Sequence, residues 1–159
     1  MVVSSPPGLK PGTFPEVVFG SERWRNYLFG FRFKMTSCAP SSAFGCTIMV
    51  TFRNEPAGAY MLLINTNLGQ VALDWGGHDG WQIFDSGSTE SSLDLPLGAW
   101  HQVLLAADGS AISAEVDGTW AIAVSDDRFK TGQVGVEVGP DTNVQFDDFV
   151  GWNIPEGAP

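Results

Sequence analysis

The stretch from Gly98 to Gly118, GAWHQVLLAADGSAISAEVDG, constrains the fold more than any other part of the chain. Asp108-Gly109 sits between two alternating apolar runs, and a second Asp-Gly pair, Asp117-Gly118, closes the segment. Tight hairpin turns need residues that tolerate φ > 0, so this arrangement predicts a strand, a turn and a second strand. Ile112, Ala114 and Val116 alternate with Ser113, Glu115 and Asp117. One face of that hairpin is dry and the other wet, as expected of a sheet covered on one side.

The same period of two runs through most of the sequence. Tyr27, Phe29, Phe31, Phe33 and Met35 fall on one face of a long strand, with Gly30, Arg32 and Lys34 on the other. Further strands are expected over 14–19, 47–52, 60–64, 71–75, 81–84, 100–106, 120–124, 134–138 and 144–150. About ten or eleven strands at regular spacing, with turn residues between them, predict a sandwich or barrel. No segment has a convincing helical period. Charged residues are only 16% of the chain, against 19 Gly and 10 Pro, which suits many strands joined by short turns.

At 159 residues there is room for one domain with a full core. Residues 1–13, with Pro6, Pro7, Gly8, Pro11 and Gly12, read as a linker; 14–154 as the domain; 155–159 as a tail. No signal-peptide pattern is visible, and the Pro-rich start reads as that of an excised module. The formal net charge of -10 argues against nucleic acid and anionic membranes as partners, since both need a cationic face. No run is long and apolar enough for membrane insertion.

Two cysteines, Cys38 and Cys46, flank a short loop between strand-like runs. A bridge would staple that loop and contribute about 2–3 kcal/mol. The alternative is a pair of buried thiols.

Taken in order, several motifs resemble those of the concanavalin A-like lectin/glucanase superfamily. The likeness is strongest to its laminin-G-like and family-66-like carbohydrate-binding branches, which include a domain found in putative 3-keto-glycoside hydrolases. Trp24-Arg25-Asn26-Tyr27 precedes the aromatic strand, and Phe52-Arg53 is followed by Tyr60-Met61-Leu62. Gly98-Ala99-Trp100-His101 leads through Asp108-Gly109 to Val116-Asp117-Gly118. Gly132-Gln133-Val134-Gly135 and Phe146-Asp147-Asp148-Phe149 close the set. The resemblance covers about residues 14–154 and implies an all-β, antiparallel jelly-roll β-sandwich of two stacked sheets. It also implies that the first and last strands are neighbours. Glycan binding, protein binding and glycoside hydrolysis all occur on this fold, so the fold alone does not choose among them.

Candidate chemistry is sparse. Glu115 and Asp117 could form a carboxylate pair, but the strand's wet face and the turn explain them without catalysis. The two histidines, His78 and His101, show no triad order or zinc spacing. The resemblance implies a structural Ca²⁺ where the termini meet, with Glu16, Asp147 and Asp148 as ligands. For a glycan, aromatic planes and planar polar groups are required. Arg53, Asp74, Trp75, His78, Trp81 and Trp120 are the candidates, with Asn65, Asn67 and Gln82 nearby in sequence. Trp24 and Trp100 are expected in the core, and Trp152 over the end of the last strand. The expected role is a non-catalytic carbohydrate-binding or adhesion module of a larger extracellular or cell-surface protein, meeting a glycan or a cell-surface protein. A structural, protein-binding domain and a glycoside hydrolase or lyase are the alternatives.

Overall fold

The computed structural model describes residues 1–5, 14–40, 44–77, 80–84 and 93–155. In chain order the strands are β1 (Val2–Ser4), β2 (Glu16–Phe19), β3 (Tyr27–Ser37), β4 (Thr47–Glu55), β5 (Gly58–Asn65) and β6 (Gln70–Gly77). They continue with β7 (Gly80–Ile83), β8 (His101–Asp108), β9 (Ala111–Val116), β10 (Thr119–Ser125), β11 (Gln133–Val138) and β12 (Asn143–Asn153). They form two six-stranded antiparallel sheets, ordered β1-β12-β3-β8-β9-β10 and β2-β11-β4-β5-β6-β7. This is the expected jelly-roll sandwich. No helix among the described residues is long and apolar enough to cross a membrane.

The alternation read from the sequence decides which side chains are inside. Phe29, Phe31, Phe33 and Met35 of β3 pack with Phe146 of β12 and Val103 and Leu105 of β8, and with Ile48, Val50, Phe52, Tyr60 and Leu62 from the other sheet. Leu73 and Val71 of β6 join the same core. Phe31 and Phe149 stack at 5.7 Å, and Phe149 meets Phe19 at 4.4 Å across the sheets. The hairpin of β8 and β9 turns at Asp108–Ala111 in the expected register. In the next turn, between β9 and β10, both oxygens of Asp117 are engaged, Oδ2 with the His101 ring at 2.8 Å and Oδ1 accepting the Gln102 N–H at 2.8 Å. That turn is a structural knot.

Cys38 and Cys46 are bonded, tying the end of β3 in one sheet to the start of β4 in the other. The linker expected over 1–13 begins too early: Val2–Ser4 pairs with Asn143–Gln145 of β12. A three-residue strand is too short to show alternation, so its pairing is set by the partner. Residues 6–13 and 156–159 lie outside the described residues.

Candidate functional site

Strand alternation divides each sheet into a face toward the core and a face outward. On the second sheet, Ile48, Val50 and Phe52 belong to the core while Met49 and Thr51 do not. Cross-strand register carries that outer face across the sheet. One row runs Val18, Gly135, Thr51, Met61, Asp74 and Ile83. The next runs Ala59, Gly76 and Trp81.

Trp81 is 45% exposed. Its ring lies on Gly76, where an added Cβ would stand 3.0 Å from the indole. With Gly76 and Gly77 it lines an open cleft of about 290 Å³, whose other walls are Asn54, Glu55, Pro56, Gly58 and Ala59. Gly58 holds a φ of 148°, a conformation that side chains resist, and this lets the β4–β5 turn close against β6. An aromatic plane, an amide and a carboxylate therefore converge at one end of the sheet.

Two residues further along β6, Asp74 shares the same face. Its Oδ1 is buried and accepts no hydrogen bond from any described residue. Desolvation raises its pKa to about 6. Glu137 lies on the outer face at the opposite side of the sheet, paired in register with Glu16. Burial first, and then the charge of Glu16, raise its pKa to about 7. A buried acceptor without a donor is costly.

The other predicted ligand residues go elsewhere. Arg53 is a correction: it is fully buried. A bulge in β4 gives it a φ of 47° and turns its side chain inward. The guanidinium donates to the Phe129 carbonyl at 3.2 Å and the Arg25 carbonyl at 3.1 Å. Tyr27 Oη accepts the Arg53 backbone N–H at 3.1 Å. Trp75 alternates with Asp74 and faces the core side, where the Arg128 guanidinium covers its ring at 4.3 Å. Arg128 is held in turn by Asp126 at 2.6 Å, which also accepts the Tyr60 hydroxyl. Trp120 is 62% exposed, but on the first sheet. His78 lies outside the described residues. Asn65 is engaged in its own turn, accepting the Leu68 N–H at 2.9 Å and donating to Thr47.

The residues expected to clamp calcium are also separated, because β2 joins β11 and not β12. Glu16 accepts the Thr51 hydroxyl on the outer face of the second sheet. Asp147 and Asp148 pair with Arg32 on the outer face of the first. The sandwich core lies between them, and no cluster of three or more His, Cys, Asp or Glu able to hold a metal occurs among the described residues. Trp100, expected in the core, is 40% exposed, with Arg32 and Lys34 each 5.1 Å from its ring. Asn54, Glu55 and the cleft were missed, since only the β4–β5 pairing brings that turn beside Trp81; the turn signal Asn54-Glu55-Pro56-Ala57-Gly58 marked the place.

Neither a protein-family model nor a curated protein sequence matches the chain. Solved structures do. The carbohydrate binding module CBM66 from Bacillus subtilis superposes with a TM-score of 0.65 at 13% identity, over 80% of this chain and 74% of its own. The galectin LEC-6 of Caenorhabditis elegans matches with a TM-score of 0.59 at 12% identity, over 94% and 95%. Domain 4 of AbnA, an extracellular arabinanase of Geobacillus stearothermophilus solved with arabinotriose, gives 0.60 at 11% identity, over 96% and 81%. The chain thus has the concanavalin A-like jelly-roll fold.

Proposed function

We propose that this domain is a non-catalytic carbohydrate-binding module, carried on an extracellular or cell-surface protein. It takes its glycan on the outer face of the second sheet. The observation that carries this reading is Trp81, an exposed indole beside Gly76 in a cleft that also offers Asn54 and Glu55. Asp74 adds a half-buried carboxylate on the same face. Sugars are recognised by an aromatic plane against the C–H side of the ring and by planar polar groups at its hydroxyls. The kinship in fold with a carbohydrate-binding module and a galectin supports the reading.

A binding role is favoured over hydrolysis because glycosidases need two carboxyl groups held about 5–10 Å apart and free to act. Asp117, the one carboxylate weighed as a partner for Glu115, has both oxygens committed to His101 and the Gln102 N–H. The disulfide fits an oxidising compartment. A glycan array followed by calorimetry tests the proposal. Binding to a defined oligosaccharide that weakens at least about tenfold in Trp81→Ala is expected. Silence across plant, bacterial and animal glycans would favour a protein-binding role instead.

A further inference from the structure

The outer face of the first sheet holds a second concavity, unconnected with the Trp81 cleft. It measures about 410 Å³ and lies over β12, β3 and β8. Ligand pockets for small molecules span about 300–1,000 Å³, so it is large enough to hold one.

Three features build it. Gly30 forms the floor: its missing side chain leaves a pit in mid-strand, where a Cβ would stand 3.2 Å from Val150 Cγ2 and 3.5 Å from Leu104 Cδ1. Trp152, 54% exposed, forms a wall with Val150, Leu28 and Leu104. At one end a bulge in β12 between Asp147 and Val150 gives Asp148 a φ of 53°. A left-handed non-glycine residue inside a strand is strained. Here the bulge puts two successive carboxylates on the same face while Phe149 stays in the core.

Those carboxylates meet Arg32, Asp148 Oδ2 lying 2.8 Å from its Nε and Asp147 Oδ2 3.4 Å from its Nη2. Gln102, opposite Arg32 in register, completes the rim. Arg32 is the one cation among the described lining residues, and it faces two carboxylates. The rim therefore offers fixed hydrogen-bonding groups but no spare positive charge. That disfavours phosphate, sulfate and uronate, and the apolar wall of Trp152, Val150, Leu28 and Leu104 favours a neutral ligand with an apolar side and several hydroxyls over a cation.

We infer that this groove is a second glycan site, taking a neutral saccharide stacked on Trp152 and hydrogen-bonded by Asp148, Arg32 and Gln102. Its row of residues continues across the sheet through Leu104 and Glu115 to the exposed Trp120. Four strand spacings, about 19 Å, separate β12 from β10, so an extended chain rather than a single sugar would meet aromatic rings at both ends. With sites on opposite outer faces the domain would bridge two glycan strands.

The test is an amide and indole N–H titration of the whole chain by NMR, using cellopentaose, maltopentaose and arabinopentaose at millimolar concentration. The Trp152 indole and the Gly30 amide are expected to shift with at least one of them. Trp152→Ala and Asp148→Asn should weaken that response about tenfold, while Trp81→Ala leaves it unchanged. Asn tolerates the left-handed conformation, so the second variant removes charge without forcing the backbone. Three results would each overturn the inference: no shift at Trp152 and Gly30 with any of these sugars, a shift there only with a lysine-rich peptide, or loss of the response in Trp81→Ala. If Trp152 responds and Trp81 does not, this inference stands and the second-sheet reading fails.

Discussion

The two outer faces of the sandwich handle charge in opposite ways. On the first sheet, Arg32 is paired with Asp147 and Asp148 and lies against Trp100. On the second, Asp74 and Glu137 are desolvated without a cation, and their pKa values are pushed up to about 6 and about 7. On the first face the charges are neutralised in ion pairs, whereas on the second burial dominates at the two carboxyl groups. The comparison teaches that carboxylates can be kept on a sheet surface by a neighbouring cation or by raising the pH at which they ionise. Asp74 and Glu137 should therefore make the second face respond to pH.

The largest effects should come from the aromatic platforms. Trp81→Ala is expected to cost about tenfold or more in affinity at the second sheet and nothing at the first, with Trp152→Ala giving the reverse; calorimetry with each variant reads both. If either substitution weakens both faces equally, the two are not independent.

A smaller effect separates the faces by pH. Ligand hydroxyls donate to an ionised carboxylate, so binding at Trp81 should be strongest above pH 6 and weaken severalfold as Asp74 protonates below it. Asp74→Asn should remove that dependence. Asp74→Asn should leave affinity at the Trp152 groove, on the opposite face of the sandwich, unchanged.

The smallest effect is on stability. Acids whose pKa is raised by folding favour the native state while protonated, so their contribution is greatest below their ordinary range and is lost as pH rises through about 6 for Asp74 and about 7 for Glu137. Asp74→Asn and Glu137→Gln should each raise the melting temperature by about 2–4 °C at pH 8 and flatten its pH dependence. The gain is held down by partial exposure of both groups.

Much of the fold was legible because alternation is a local property. Phe29, Phe31 and Phe33, and equally Ile112, Ala114 and Val116, declare their faces without reference to anything else. The site was less legible because its parts meet only through register. Asp74 and Trp81 lie near each other in sequence and share a face, whereas Glu55 reaches Trp81 only through the pairing of β4, β5 and β6. Arg53 was misread because one left-handed residue reverses a face, and alternation cannot foresee a bulge. Glu16 and Asp147 were misjoined because the choice between β11 and β12 as the neighbour of β2 is topological. Asp74 and Trp75 were both candidates for one ligand surface, but neighbours in a strand point to opposite sides of the sheet.

The most direct test of the central claim is the structure of the domain with the oligosaccharide selected by the array. The account predicts a sugar ring on the Trp81 indole, in the cleft beside Asn54 and Glu55. A sugar bound elsewhere, with Trp81 left to solvent, would contradict it.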